Sequence, residues 1–317
     1  MNSRLHVVVG ILFNSNKDKI LISKRTEKSE LSDFWEFPGG KVESNEVPFS
    51  ALNREFTEEL GVDIKKAVRL VEINHDYVET KVLLDVWIIN EYEGEPTALE
   101  GQEIEWSRID NLSNYRFLEA NKHIMQTLFL PEIYGISNQS YSNLSKLYSD
   151  AKNYFSRGLK IFQLRLKLEK DNELIKEVKK LSIEAKKHGA KLILNGNASD
   201  VECFSVDGIH LKSREIFNYT SRPISSDYIL GASCHDESEI HHAIKLNVNY
   251  IFISPVLNTN SHPKDRALGW DKFKELTVHA NIPVYALGGL LHSDLKLAKE
   301  NGAYGIAMIT ALNDLYC

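Results

Sequence analysis

Apolar and polar residues alternate along the N-terminal part of the chain in patterns typical of β-strands. Two strands separated by a polar turn are predicted at Leu5–Phe13 and Ile20–Lys24, where they would form a hairpin. A second strand pair is predicted at residues 66–77 and 80–90, with its most buried part at Trp87–Ile89. This part of the chain is therefore expected to contain a sheet.

Helical spacing replaces strand alternation in two segments of the same region. From Pro48 to Leu60, apolar residues recur every three or four positions, so a helix is predicted that ends at Gly61. A returning strand is predicted at Glu103–Trp106 and a second helix at Arg116–Leu130. Together these elements predict an α/β unit in which helices pack on a mixed sheet, an α/β/α sandwich.

The pattern changes at Pro131, after which short apolar strands alternate with helices. The predicted strands are Ile133–Ser137, Ile161–Lys167, Lys191–Asn195, Gly208–Leu211, Ile229–Ser233, Tyr250–Pro255, Pro283–Gly288 and Gly305–Thr310. Eight strands alternating with helices favour a compact (β/α)₈ TIM barrel. The chain of 317 residues is thus expected to be an α/β protein with two domains, at residues 1–130 and 131–317.

Composition and charge narrow the classes of partner. The net charge of −6 and the pI near 6.0 argue against a nucleic-acid polymer as partner, because binding such a polymer requires a basic surface. A small-molecule nucleotide remains compatible with this charge. The three cysteines lack CxxC spacing, and the first apolar run is too short to span a membrane. The cysteines therefore suggest a reducing compartment and no zinc site, and we expect a cytoplasmic protein without a membrane partner.

The predicted helix after Pro48 carries the strongest candidate chemistry. Glu55, Glu58 and Glu59 stand at i, i+3 and i+4, so their carboxylates share about one turn of helix surface. Carboxylates this close repel one another, and hard oxygen ligands suit Mg²⁺ or Mn²⁺. An acidic, solvated helix face is the plainer interpretation, but it does not explain the Gly39-Gly40 pair before the helix.

The spacing of Gly40–Val62 is G-x5-E-x7-R-E-U-x-E-E-x-G-U, where U is apolar, and it resembles the Nudix box. Flanking stretches at Glu36–Lys41 and Glu93–Gln102 are similar to the MutT-type Nudix hydrolases, the 8-oxo-dGTP diphosphatases. The resemblance implies a metal-dependent nucleoside triphosphate pyrophosphohydrolase that serves nucleotide-pool sanitation and DNA mutation avoidance. Attack of water on the β-phosphorus would convert 8-oxo-dGTP to 8-oxo-dGMP and pyrophosphate.

The same resemblance assigns roles to individual residues. The implied Mg²⁺ ligands, with Mn²⁺ as a substitute, are Gly39 through its carbonyl and Glu55, Glu58, Glu59 and Glu100. The four glutamates are also the implied catalytic residues, and both Glu55 and Glu100 are candidates to deprotonate water. The implied substrate-binding residues are Arg25, Phe37 and Asn121, because an amide can donate and accept along one edge of a base.

The C-terminal region is similar to the thiamine-phosphate synthase and TenI superfamily of barrels, in the stretches Gln163–Lys167, Gly208–Leu211, Gly231–His235, Ser254-Pro255 with Thr259, and Pro283–Gly289. The resemblance implies a phosphate or ligand site formed by Arg165, Lys167, Ser233, His235, Gly288, Gly289 and Thr310. His235 is also a candidate for proton transfer of the tautomerase kind.

Three positions depart from the synthase pattern. Gly196 replaces a metal-binding Asp, Glu215 replaces a second one, and His262 stands where a pyrophosphate-binding Lys is expected. These changes predict that the barrel has lost thiamine synthesis. The alternatives are a bifunctional protein with thiamine-phosphate synthase or thiazole tautomerase activity, and a barrel that only binds a ligand or forms a homodimer.

Overall fold

The computed structural model describes residues 4–25, 33–76, 80–138, 144–165, 171–259 and 267–316. The chain divides into two compact units, Met1–Leu128 and Phe129–Cys317. No helix within the described ranges is long and apolar enough to cross a membrane.

The N-terminal unit is a mixed α/β structure. Its elements are β1 (Leu5–Leu12), β2 (Lys19–Lys24), β3 (Trp35–Glu36), β4 (Gly39–Lys41), α1 (Pro48–Leu60), β5 (Asp63–Asp76), β6 (Lys81–Glu93), β7 (Ile104–Arg108) and α2 (Glu119–Leu128), with a 3₁₀ helix at Ile109–Asn114. One sheet has the order β4-β1-β6-β5, and a second has the order β3-β2-β7. Strands β1 and β6 are parallel, whereas the other pairs are antiparallel.

The predicted hairpin of the first two strands is wrong, because β1 and β2 diverge into different sheets. They share only a bridge between Phe13 and Ile20. Residues Val8–Leu12 are all buried, so β1 is a central strand with β4 on one edge and β6 on the other. The partner that completes β1 comes from about 75 residues away, and local alternation could not identify it.

Two further details of the N-terminal prediction are corrected. The most buried part of β6 is Leu84–Val86 and not Trp87–Ile89, because fully buried Asp85 receives a paired hydrogen bond from Arg69 at 2.7 and 2.8 Å. Helix α2 begins at Glu119, three residues later than predicted. The preceding Phe117 forms a parallel bridge with Trp35, which keeps that segment extended.

Helix α1 is confirmed where its spacing predicted it. Its buried residues Ala51, Leu52, Phe56 and Leu60 pack in one core cluster with residues of β1 and β6. The helix ends at Gly61, whose φ of 67° lies in the left-handed region and whose N–H donates to the Thr57 carbonyl at 3.1 Å. The apolar face faces the core, so the acidic residues of the helix face away from it.

The C-terminal unit is a closed parallel barrel, as predicted. Its strands are β8 (Ile133–Ile136), β9 (Ile161–Leu164), β10 (Lys191–Asn195), β11 (Gly208–Leu211), β12 (Ile229–Cys234), β13 (Tyr250–Ile253), β14 (Val284–Leu287) and β15 (Gly305–Met308). Its helices are α3 (Leu144–Ser156), α4 (Asn172–Lys187), α5 (Asp200–Phe204), α6 (Glu237–Lys245), α7 (Gly269–Thr277), α8 (Leu295–Glu300) and α9 (Leu312–Tyr316). Each observed strand begins within one residue of its predicted start.

Candidate active sites

The carboxylates of α1 lie beside the short strand β4. A Cβ atom at Gly40 in β4 would lie 2.2 Å from the carboxyl carbon of Glu55, so the Glu55 carboxylate packs directly against the Gly40 backbone. Glu55 is only 14% exposed, whereas Glu58 is 56% exposed. The fold therefore brings a glycine of the sheet and a carboxylate of the helix into direct contact, which the sequence analysis did not predict.

Arg54 holds three of the glutamates together. Its Nε and Nη2 atoms donate to the two Glu46 carboxylate oxygens, each at 3.0 Å. Its Nη1 donates to Glu55 at 2.8 Å and to Glu58 at 3.2 Å. These contacts raise the pKa of Arg54, and the hydrogen bond from Arg54 lowers the pKa of Glu46. One cation therefore positions the carboxylates but does not neutralise all of them.

Glu59 has no such cationic partner among the described residues. Its pKa is raised to about 8, mainly by burial and then by the neighbouring charges of Glu55, Glu100 and Glu36, while a backbone hydrogen bond with Gly39 opposes the shift. Burial and like charges both disfavour the ionised carboxylate, so Glu59 lies in a partly dehydrated, acidic environment. This donor set of hard oxygens fits a divalent cation such as Mg²⁺.

The loop before β7 brings Glu100 to this cluster. The Leu99 N–H donates to the Glu59 carbonyl at 3.0 Å, and the Gln102 Nε2 donates to the same carbonyl at 2.9 Å. Gln102 also accepts a hydrogen bond from the Glu100 N–H at 3.0 Å. The end of α1 thus anchors the loop, and the structure groups the four predicted glutamates with Gly39.

The predicted base-binding residues lie on three segments, with Arg25 after β2, Phe37 after β3 and Asn121 in α2. Asn121 in α2 is 6% exposed, and its side chain makes no hydrogen bond with another described residue. Phe37 is buried and stacks on Phe117 with 5.5 Å between ring centroids. Buried amides usually have hydrogen-bond partners, so the largely buried Asn121 is suited to a polar ligand.

Arg25 is less available to a ligand than the sequence suggested. Its Nη1 donates to Glu36 at 2.6 Å, and its Nε is buried without a hydrogen-bond partner among the described residues. Burial raises the pKa of Glu36, whereas Arg25 lowers it. Sequence reasoning gave no role to Glu36, which adds negative charge beside Glu59.

The interior of the barrel contains a chain of buried polar side chains. The Tyr134 hydroxyl lies 3.4 Å from the Gln163 amide oxygen and 2.6 Å from the Tyr250 hydroxyl. His210 links Tyr250, at 3.2 Å from its Nδ1, to Ser233, at 2.9 Å from its Nε2. Burial lowers the pKa of His210 to about 3, with a smaller effect from Arg165, so these linked side chains are neutral at physiological pH.

Arg165 is the cation of this region. Its backbone N–H donates to the Ser137 hydroxyl at 2.7 Å, and burial lowers the pKa of its guanidinium. No carboxylate pairs with its side chain within the part of the chain that the structure describes. A half-buried guanidinium without a counter-ion is suited to a phosphate. The predicted Lys167 lies outside the described residues.

The other predicted barrel residues lie on loops that follow strands. Gly288 and Gly289 have φ values of 108° and 68°, and the Gly288 carbonyl accepts from the Leu257 N–H at 3.1 Å. Thr310 is exposed after β15. The His235 Nδ1 lies 2.6 Å from the Ser254 carbonyl, which can only accept, so Nδ1 carries the proton and Nε2 is left as an acceptor.

The structure changes the interpretation of one departure from the synthase pattern, the one at Gly196. Gly196 has no side chain, but a Cβ atom there would lie 2.6 Å from the Asp200 Oδ2, so the carboxylate of α5 fills this space. The same oxygen accepts from the Asn197 N–H at 2.8 Å, and Asp200 is buried. Glu215 accepts a hydrogen bond from Lys212 at 2.9 Å. His262 lies outside the described residues.

The N-terminal unit combines a mixed sheet with a cluster of hard oxygen donors, an arrangement that suits hydrolases assisted by a divalent cation. The family described as "NUDIX domain" matches residues 8–127. An 8-oxo-dGTP diphosphatase of Proteus vulgaris is 36% identical over 98 residues, which are 31% of this chain and 87% of that protein. A solved structure described as MutT from Aliivibrio salmonicida and Vibrio cholerae is 36% identical, covers 40% of this chain and 97% of its own, and has a TM-score of 0.37.

The barrel matches a second family. The family described as "Thiamine monophosphate synthase" matches residues 133–312. A protein of Aquifex aeolicus (strain VF5), provisionally named thiamine-phosphate synthase 2, is 33% identical over 181 residues, which are 57% of this chain and 97% of that protein. The chain therefore belongs to the Nudix hydrolase family through its N-terminal unit and to the thiamine monophosphate synthase family through its barrel.

Proposed function

We propose that the N-terminal unit hydrolyses 8-oxo-dGTP to 8-oxo-dGMP and pyrophosphate with Mg²⁺, for which Mn²⁺ can substitute. The observation that carries the proposal is the grouping of Glu55, Glu59 and Glu100, where burial and the neighbouring carboxylates together raise the pKa of Glu59 to about 8. Such crowding is relieved by a divalent cation and a nucleotide phosphate. The relatives named as 8-oxo-dGTP diphosphatases support the choice of nucleotide.

Different residues of the N-terminal unit would have different roles in this reaction. Glu55, Glu58, Glu59 and Glu100, with the Gly39 carbonyl, would hold the cation. When bound, the cation supplies charge neutralisation at the phosphate oxygens and makes a water molecule more acidic. Glu55 or Glu100 accepts the proton of the attacking water, and Arg54 keeps Glu55 in position through its 2.8 Å hydrogen bond.

Recognition of the base rests on Asn121. Its buried amide has both a donor and an acceptor available, and oxidised guanine presents both along one edge. Phe37, which stacks on Phe117, supplies an apolar wall. A site built on such pairs discriminates strongly, because the wrong base leaves buried polar groups unmatched.

The test follows the oxygen of the attacking water. The full chain is incubated with 8-oxo-dGTP and Mg²⁺ in ¹⁸O-labelled water, and the products are analysed by mass spectrometry. Attack at the β-phosphorus predicts 8-oxo-dGMP without label and pyrophosphate with label. Release of 8-oxo-dGDP and phosphate, or label in 8-oxo-dGMP, would refute this route.

A second activity in the barrel is favoured by one observation. The Asp200 carboxylate fills the space beside Gly196, where the synthase pattern expects a carboxylate, and Arg165 offers a cation for a phosphate. We therefore retain thiamine-phosphate synthesis as a candidate beside ligand binding alone. The test is the joining of a pyrimidine pyrophosphate to a thiazole phosphate by the full chain, with Asp200→Asn as the variant. Turnover that this variant abolishes supports synthesis, whereas binding without turnover supports the binding module.

A further inference from the structure

A group of three metal-ligating side chains lies on the outer helices of the barrel, apart from the residues discussed above. Glu237 and His241 stand four residues apart on α6, so they share one face of that helix. His279 follows α7 and joins them. Each offers one ligand atom, and these atoms all lie within 4.8 Å of one another.

The distances suit a small divalent ion. The His279 Nδ1 lies 3.6 Å from the Glu237 Oε1. Zinc binds imidazole nitrogen and carboxylate oxygen at about 2.0–2.2 Å in tetrahedral geometry, which places neighbouring ligand atoms roughly 3.3–3.5 Å apart. All three residues are exposed, so modest rotation of the side chains brings the wider pairs to this spacing.

We propose that Glu237, His241 and His279 bind Zn²⁺ or a similar transition-metal ion, with water in the remaining position. Two imidazoles and one carboxylate form a borderline-soft donor set that selects such ions over Mg²⁺, which prefers oxygen ligands. The acidic cluster of the N-terminal unit is made of oxygen donors only. The two sites therefore take different metals, and zinc links α6 to the segment after α7.

Neighbouring histidines define the site and provide a control. The adjacent His242 is already engaged, since its Nε2 lies 3.1 Å from the Ile216 carbonyl and 3.0 Å from the Tyr219 carbonyl. Directly after α4, His188 lies 3.5 Å from Glu184 at the same i, i+4 spacing. No third ligand group joins that pair among the described residues. His188→Ala therefore removes a comparable Glu–His pair without affecting the proposed site.

The experiment uses the full, untagged chain, stripped with a chelator and then kept in excess Mg²⁺ to occupy the acidic cluster. Zn²⁺ is titrated by calorimetry into the wild type, His241→Ala, His279→Ala, Glu237→Gln and His188→Ala, with circular dichroism to verify folding. Thermal melting is recorded with and without zinc.

The wild type and His188→Ala are expected to bind one Zn²⁺ and to melt a few degrees higher with it. His241→Ala and His279→Ala are expected to bind at least about tenfold more weakly and to lose that shift. The proposal is overturned if all variants bind zinc like the wild type, or if the wild type shows no zinc binding in excess Mg²⁺.

Discussion

The acidic cluster of the N-terminal unit and the row of polar side chains inside the barrel differ in how their charges are arranged. Around Glu59, carboxylates are crowded beyond what Arg54 can balance, and one of them holds its proton to about pH 8. Around His210, hydroxyl, imidazole and amide groups satisfy one another without charge, and the imidazole stays neutral down to about pH 3. The first group of side chains leaves carboxylate oxygens available to a cation, whereas the second pairs its polar groups with one another.

Because of this difference, we expect the two units to bind ligands of opposite charge. An excess of buried negative charge is costly, so the acidic cluster gains stability when a cation binds. The described polar groups around His210 are uncharged, and the half-buried Arg165 near them instead favours an anion. Variants should therefore affect turnover most in the N-terminal unit and folding or anion binding most in the barrel.

The largest expected effect comes from removing a carboxylate of the cluster. Glu59→Gln and Glu58→Gln should each lower kcat for 8-oxo-dGTP by about 10³-fold, because the cation loses a ligand. The measurement is steady-state release of pyrophosphate in Mg²⁺. The control is Glu91→Gln, an exposed glutamate paired with Lys66, which should leave kcat unchanged. Near-normal turnover of both cluster variants would remove the basis of the comparison.

The next effect concerns selectivity. Asn121→Ala should lower kcat/KM for 8-oxo-dGTP by roughly 100-fold and leave the Mg²⁺ dependence unchanged, because the lost hydrogen bonds are to the base. The exposed Asn111→Ala serves as the matched control. Equal losses for 8-oxo-dGTP and dGTP would show that Asn121 has a structural role instead.

In the barrel, a new carboxylate should destabilise the fold. Gly196→Asp places a second negative side chain against the Asp200 oxygen, which a Cβ atom would approach to 2.6 Å. We expect a loss on the order of 1–3 kcal/mol in the free energy of unfolding, measured by urea denaturation. Adding Asp200→Ala should recover most of that loss. Full stability of the single variant would mean that the two positions are independent.

The last prediction concerns a difference in pH dependence between the two sites. The pKa of Glu59 is raised from its ordinary value near 4.5 to about 8, so its contribution to stability falls as pH rises from 4.5 to 8. The pKa of His210 is lowered from 6.5 to about 3, so its contribution falls as pH decreases from 6.5 to 3.

Melting temperatures of the chelator-treated chain, measured across pH, test these two opposite pH dependences. Glu59→Gln should gain stability relative to the wild type as pH rises, on the order of 1–3 kcal/mol by pH 9. His210→Gln should lose less stability than the wild type on acidification from pH 6.5. Parallel pH profiles of the wild type and both variants would show that these two groups do not titrate as described.

The features predicted from the sequence are those set by neighbours in the chain. Helix α1, its end at Gly61 and the eight barrel strands follow from local spacing, and the structure confirms them. The pairing of β1 with β6 depends on residues far along the chain, so the predicted hairpin failed. The buried position of Asp85 within an otherwise apolar strand could not be predicted, because its partner Arg69 lies on a different strand, β5.

The two sites differed in the same way. Most of the acidic cluster lies on one helix, so its residues could be identified from their spacing. The polar chain of the barrel gathers Tyr134, Gln163, His210, Ser233 and Tyr250 from five strands, and no local pattern relates them. Asp200 was missed because sequence reasoning compared position 196 alone, whereas its carboxylate reaches that space from the following helix.

The most direct test of the proposed function is the ratio of kcat/KM for 8-oxo-dGTP to that for dGTP, measured on the full wild-type chain with Mg²⁺. The buried amide of Asn121 and the crowded glutamates predict turnover that requires the cation and a preference of at least about 100-fold for the oxidised nucleotide. Equal values for the two nucleotides, or hydrolysis that persists in excess chelator, would contradict this account.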